Sequence, residues 1–188
     1  MKPKILTILG SPHKDGHSAG LLRRFTDGFD AEIIRYDAYD CAFAPCTDCR
    51  YCRTAEGCAL GDMDAFFEDF ERADGIIIAS PVYNLSFPAP LKAMIDRMQR
   101  YYSARFFLGK RPPIPRHRPV ALLLSAGSPG EDGSVILRQL QQTFSVTNCE
   151  IVARILQNGT DSLSADRFPE EAVRREASIF ASSISLFT

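Results

Sequence analysis

No apolar run in the sequence approaches the roughly 20 residues that span a bilayer, so a helical membrane span is excluded. Net charge is nearly absent as well, 22 basic against 23 acidic residues. The chain as a whole therefore exerts no pull toward nucleic acid or an anionic membrane. There is no internal repeat, low-complexity tract or linker, and Met1-Lys2-Pro3-Lys4 leads into an apolar run without a signal-type h-region. A cytoplasmic protein is expected. Two nucleotide-binding signatures are also missing. A P-loop needs four residues between its glycines and a lysine after the second, but five residues separate Gly10 from Gly16 and His17 follows. The dinucleotide fingerprint G-x-G-x-x-G is absent too, so no glycine-lined cradle for a bridging pyrophosphate is present.

What is there is 188 residues, 45% hydrophobic and 24% charged, as in one soluble globular domain covering 1–188. Ile5, Leu6, Ile8 and Leu9 form a near-continuous apolar strand, as when both faces of a parallel strand are covered. Further strands are expected at 32–36, 75–79, 120–124 and 150–156. Helical spacing follows them. Leu21, Leu22, Phe25 and Phe29 share one face, as do Met63, Phe66, Phe67, Phe70 and Ala73, with Asp62 or a neighbour as N-cap. Leu91, Met94, Ile95 and Met98 follow Pro90, a helix covers 134–146, and Val173, Ala177, Phe180, Ile184 and Phe187 mark a last one from near Pro169. Residues 99–118 read as loop. Five strands alternating with five helices imply an α/β three-layer sandwich on a parallel sheet. Its ligand belongs at the carboxyl ends of the strands, where the loops at 10–18, 80–87 and 125–133 converge.

The first of these loops, Ser11-Pro12-His13-Lys14-Asp15-Gly16-His17-Ser18, joins a buried strand to a helix. A helix N-terminus collects unsatisfied N–H groups and the positive end of the macrodipole, which suits an anion. Hydroxyls from Ser11 and Ser18, with charge or further donors from His13, Lys14 and His17, fit a terminal monophosphate. The plainer alternative is an ordinary strand-to-helix turn with Ser18 as N-cap.

Five of the six cysteines fall between residues 41 and 58, where no periodicity is seen. Without secretory features, metal binding or redox chemistry is favoured over disulfides. Cys46, Cys49, Cys52 and Cys58 are spaced C-x2-C-x2-C-x5-C. Structural zinc usually takes two separated C-x2-C knuckles, whereas this compact run suits a cubane [4Fe–4S] cluster. A cysteine loop without metal stays open as a reading, and zinc as a lesser one. Cys41 and Cys149 read as packing thiols.

GSPHKDGHSAGLL resembles the phosphate loop of the flavodoxin-like NADPH-dependent FMN reductase family, and ADGIIIASPVYNLSFPAPLKAMIDR resembles its flavin-edge segment. CTDCRYCRTAEGCALGDMD resembles the iron–sulfur flavoproteins of the same superfamily. The resemblance implies a flavodoxin-like five-stranded parallel sheet in the order 2-1-3-4-5, with FMN as cofactor and NAD(P)H as co-substrate. By position, Ser11, His13, His17, Ser18 and Ala19 would wrap the FMN phosphate, although relatives often have Arg at 13 and Asn at 17. Pro81, Val82, Tyr83 and Asn84 would lie along the isoalloxazine ring, their backbone N–H groups reaching its edge. The turn Gly127–Gly130, with Gly127 and Ser128 foremost, would meet the pyrimidine end. Cys46, Cys49, Cys52 and Cys58 would hold the [4Fe–4S] cluster.

Seven Arg or Lys residues lie between Asp96 and Pro119, interleaved with Tyr101, Tyr102, Phe106 and Phe107. Left in water, these aromatics would form a larger apolar patch than monomers usually carry. The resemblance implies a subunit interface here, in a homodimer or dimer of dimers, and offers Arg105, Lys110 or Arg111 for a 2′-phosphate of NADPH. The expected function is an FMN-dependent NAD(P)H oxidoreductase passing electrons to a flavin, quinone or similar small acceptor. A non-enzymatic flavodoxin or iron–sulfur-type electron carrier is the alternative, and a redox-sensing interaction protein is a third reading.

Overall fold

The structure, a computed structural model, describes residues 2–131 and 133–187, with side chains as far as Ile184 in the last helix. The expected contribution of Phe187 lies outside the described side chains. Five strands, β1 (Lys4–Leu9), β2 (Glu32–Asp37), β3 (Gly75–Pro81), β4 (Arg118–Ser125) and β5 (Cys149–Gln157), form one sheet in the order β2-β1-β3-β4-β5. Every pairing is parallel. Six helices connect or follow them: α1 (His17–Thr26), α2 (Asp64–Arg72), α3 (Ala89–Arg97), α4 (Gln99–Phe106), α5 (Ser134–Val146) and α6 (Glu170–Phe187).

Side-chain alternation along the strands divides the core in two. Ile5, Leu9, Ile77, Ala79 and Leu123 face α1 and α6, burying Leu21, Leu22, Phe25 and Phe180. Leu6, Ile8, Ile76, Ile78 and Leu122 face the other way, onto Phe66, Phe70, Leu91, Tyr101 and Ile136 of the remaining helices. Burial at about 1.5–3 kcal/mol per large apolar side chain fixes this register, because a one-residue slip would turn each strand inside out. The expected flavodoxin-like sandwich is thus the observed one.

Two local expectations are corrected and a third is narrowed. Residues 99–106 are helical, not loop: α4 restarts directly after α3, with Met98 (φ −63°, ψ −8°) ending one and opening the other. Its fully buried positions are Tyr101 and Ser103, so it carries no aliphatic stripe. Tyr101 enters the core against Phe67 and Phe70, which removes it from the expected surface patch. Of Asp62 and its neighbours, Met63 is the N-cap of α2. The Asp62 carboxylate instead accepts from Ala44 N at 2.7 Å and pairs with Arg97 at 2.8 Å, tying down the cysteine segment.

Candidate functional site

The sheet order reverses direction between β1 and β3, and the loops leaving their carboxyl ends meet there, as the switch-point rule expects. Gly10 N donates to Ala79 O at 2.7 Å, joining the two strand ends. A Cβ on Gly10 would lie 2.5 Å from Leu91 Cδ2 and 2.9 Å from Ser80 Oγ, so the close approach requires glycine. Ser11 Oγ accepts from His13 N at 3.2 Å and curls the loop back on itself.

The N-cap of α1 is Gly16, with no side-chain cap and no acidic residue in the first turn. Ser18 is therefore not the cap; it lies one residue inside the helix. Gly20 N to Gly16 O (2.9 Å) is the first helical bond, so the N–H groups of His17, Ser18 and Ala19 precede it. Among the described residues they have no partner, and no carboxylate competes for them. Ser18 is buried and its Oγ lies 2.7 Å from Ser125 Oγ at the end of β4. His17 Nδ1 is buried without a partner, and its ring stands edge-on to Phe168 at 6.1 Å. His13 is exposed at the outer side of the loop, and the Ala19 side chain belongs to the core, leaving only its N–H for a ligand.

Lys14 does not add free charge. Its ammonium bridges Asp37 and Asp40 at the end of β2, and these bonds raise its pKa, Asp37 first. Burial pushes the Asp37 carboxyl up, but Arg35 and Lys14 more than offset this and leave it below the usual carboxylate range. The donors left to the loop are thus backbone N–H groups, hydroxyls and imidazoles.

A cavity of about 390 Å³ opens between Val82–Leu85 and the turn at Ala126–Ser128, with Glu131 and Asp161 also in its lining. Ser125 links it to α1: its hydroxyl meets Ser18, and its carbonyl accepts from Val82 N at 2.8 Å. That bond occupies the Val82 N–H, and Tyr83 exchanges both backbone bonds with Ser86 at 2.9 Å. Pro81 has no N–H and does not line the cavity. The unbonded N–H groups of this segment, among the described residues, are those of Asn84 and Leu85, both at positive φ (51° and 61°). A two-residue turn with both central residues left-handed suits Asn but strains Leu. Such strain gathers at ligand sites.

Three residues in this arrangement escaped sequence reasoning. Leu85 was invisible because nothing in Tyr-Asn-Leu-Ser announces a left-handed leucine. Ser125 did leave a signal, the one polar residue closing the apolar run ALLLS. Asp161, from the loop after β5, reaches over Gly127, where an added Cβ would lie 2.5 Å from its Oδ2. A larger groove of about 470 Å³ runs between α3, α4 and α5; no strand end opens into it, and the one helix start among its lining residues, Gln99 of α4, follows directly on α3.

The cysteine segment follows β2. Cys46 and Cys49 are exposed, and Cys52 and Cys58 are half-buried; all four are free thiols lining one small pocket beneath α3 and α4. Asp48 (φ 49°) and Arg50 (φ 64°) curl the chain between them, and Cys52 Sγ meets Ser103 Oγ at 3.3 Å. Among the described residues, no three Cys, His, Asp or Glu side chains stand close enough to grip a single ion. A cubane spreads its irons over four corners, so its thiolates need no such convergence. Arg97 closes the pocket floor, donating to Ala44 O at 2.8 Å and Leu60 O at 2.7 Å. Its bond to Asp62 holds that carboxyl below the usual carboxylate range.

Of the three residues offered for a 2′-phosphate, Arg105 donates to Ser145 O and Lys110 pairs with Glu56. Arg111 alone has no such partner among the described residues.

Comparison with known proteins agrees with this geometry. Residues 3–160 match the family model described as NADPH-dependent FMN reductase. The chain is 36% identical over 100 residues to an iron-sulfur flavoprotein of Methanosarcina thermophila, covering 50% of this chain and 51% of that protein. It is 31% identical over 96 residues to an FMN reductase (NADPH) of Escherichia coli, covering 50% and 47%. The chain spans about half the length of the curated iron-sulfur flavoproteins that it matches at 33–36% identity. Among solved structures, an NAD(P)H:quinone oxidoreductase from Methanothermobacter marburgensis superposes with a TM-score of 0.71 at 20% identity, over 97% of this chain and 96% of that one. That likeness concerns the fold.

Proposed function

Because the chain belongs to the NADPH-dependent FMN reductase family, we propose that it is an FMN-dependent NAD(P)H oxidoreductase, passing electrons to a flavin, quinone or similar small acceptor. The observation that carries this reading is the unbonded start of α1, with no acid in its first turn, joined through Ser125 to Val82 on the wall of the 390 Å³ cavity. The orphaned His17 Nδ1 fits the same picture, since a buried polar atom without a partner asks for one. N–H groups of residues 17–19 and hydroxyls of Ser11 and Ser18 would hold the phosphate, with His17, and His13 at the rim. Tyr83, Asn84 and Leu85 would face the ring, opposite Gly127 and Ser128. Bound FMN would supply the redox chemistry, taking a hydride and releasing electrons singly or in pairs. The protein need not supply an acid or base, so its part is to fix the ring and offer N–H dipoles where negative charge develops. Steady-state oxidation of NADH and NADPH with a quinone acceptor tests this. Sustained turnover with at least one donor is expected, whereas an electron carrier would show negligible turnover with both.

The proposal extends to assembly and setting. Residues 1–188 act as one domain, because both cores are built on a single sheet. The four cysteines hold an iron–sulfur cluster, supported by their lining of one pocket and by the name of the Methanosarcina thermophila relative. Free thiols fit a reducing compartment, the cytoplasm. Among the described residues no helix is long and apolar enough to cross a membrane. The basic segment offers little to nucleic acid: Arg97 and Arg118 are buried, while Arg100, Lys110 and Arg116 pair with Glu71, Glu56 and Asp74. Phe106 and Phe107 remain 50% and 52% exposed, and the Arg53 guanidinium lies 4.8 Å over the Phe107 ring, beside the cysteine pocket. Exposed aromatics with arginine are the composition of interface centres, so a homodimer, alone or paired again, is expected through this face. Replacing both phenylalanines with Ser should lower the mass seen by light scattering at micromolar concentration. A wild-type protein already monomeric there would contradict the interface.

A further inference from the structure

The cysteine pocket is lined by four arginines, Arg50, Arg53, Arg97 and Arg100, and a single carboxylate, Asp48. Arg50 and Arg53 share that aspartate, at 3.4 and 3.9 Å, on the outer wall of the pocket. The other two arginines come from the opposite wall, α3 and the start of α4. Arg97 is 2% exposed, one of the largest fully buried side chains in the protein. Its fork spans both ends of the cysteine segment, Ala44 O on one side and Leu60 O with the Asp62 carboxylate on the other, yet its Nε is buried and has no partner. A guanidinium is charged at any physiological pH. Arg100 is 19% exposed, stacks 4.4 Å over Phe67, and has Glu71 only at 3.7 Å.

Asp62 meets one side of the buried Arg97 cation, but the unused Nε donor beside four thiols leaves a buried polar group that a further acceptor would satisfy. Four thiolates around an iron–sulfur core carry net negative charge, and each electron added increases it. We propose that Arg97 is the positioning residue of this pocket, clasping the cysteine segment shut around the cluster. Arg100 supplies a second positive charge that favours the cluster's reduced state. This rests on the cluster reading given above and adds to it the residues that set retention and potential. Net charge and hydrogen bonding around the sulfurs are the levers by which a protein sets cluster potential. Arginine's rigid fork cannot be replaced by lysine where three acceptors must be bridged at once.

The test uses the full chain, loaded anaerobically with iron and sulfide, as wild type, Arg97→Lys and Arg100→Gln. Iron and acid-labile sulfide per chain, iron loss to a chelator, and the midpoint potential are measured, with FMN content confirming the fold. The wild type is expected to take up about four irons per chain, the content of a [4Fe–4S] cluster. Arg97→Lys should keep FMN but lose iron to the chelator at least tenfold faster. Arg100→Gln should keep its iron, with the reduction equilibrium at least tenfold less favourable, about 59 mV lower for one electron. A merely structural arginine would not move that potential. If Arg97→Lys fails to fold, seen as lost FMN, the potential of Arg100→Gln decides. A wild type that takes up no iron overturns the cluster reading itself. A loaded wild type matched by both variants in retention and potential overturns the role assigned to the arginines alone.

Discussion

Replacing Ser11 and Ser18 together with alanine is expected to weaken FMN binding by about 10²- to 10⁴-fold. A hydrogen bond to a charged group contributes about 1.5–3 kcal/mol, two such bonds about 3–6, and each 1.4 kcal/mol is tenfold in affinity. Both hydroxyls are buried at the carboxyl ends of β1 and β4, where few other strong donors compete. Lys14 is spent on Asp37 and Asp40, and no other lysine or arginine lies in the loop. A site relying on neutral donors should suffer more from losing two of them than one built around a guanidinium. Ser125→Ala leaves both hydroxyls but removes the 2.7 Å contact that orients Ser18, so an intermediate loss is expected. Fluorescence titration of the apoprotein with FMN gives the dissociation constants. An unchanged constant in the double variant would place the phosphate elsewhere.

The largest expected loss of stability lies at the other end of the sheet. Arg118→Ala should cost about 3–5 kcal/mol, from two buried carbonyls left unsatisfied at about 1–3 kcal/mol each and from the cavity left behind. This residue opens β4, is fully buried, and donates to Phe70 O and to Thr147 O (2.9 Å), with its guanidinium 4.5 Å over the Phe70 ring. Those carbonyls end α2 and follow α5, so one cation satisfies orphan acceptors at two helix C-termini, where positive charge is favoured. Alanine would leave both carbonyls dry and open a cavity besides. With a urea m-value of about 2 kcal/mol/M, the midpoint should fall by roughly 1.5–2.5 M. FMN affinity of the folded fraction should hold, since the phosphate loop lies at the opposite strand ends. A midpoint shift under about 0.3 M would show the pair of caps to be dispensable.

The sheet and its order were legible because doubly covered parallel strands write themselves as apolar runs, and GIIIA and VALLL have few other readings. The start of α1 was legible for a related reason: a polar loop between such a strand and an amphipathic helix has one place to go. Donors within the site were harder to read. Backbone bonds decide that the Val82 and Tyr83 N–H groups are spent while those of Asn84 and Leu85 are open, and no side chain records that choice. The 96–119 segment misled most. Its seven cations read as a surface patch, yet Arg97 and Arg118 are interior staples for carbonyls that are distant in sequence. Charge along a chain does not reveal which guanidinium will be drawn inward by unsatisfied acceptors elsewhere. In α4 the failure was one of period, because a helix whose buried residues are a tyrosine and a serine shows no hydrophobic stripe.

The central claim is that the loop from Gly10 to Ser18 closes on a terminal phosphate, and releasing the chromophore of the purified protein tests it most directly. Heat denaturation followed by chromatographic separation and quantitation should yield FMN, about one per chain when the protein is saturated. The absence of a pyrophosphate cradle after β1 predicts that FAD will not be found. FAD in the released fraction, or a protein that neither carries FMN nor takes it up when supplied, would contradict the account.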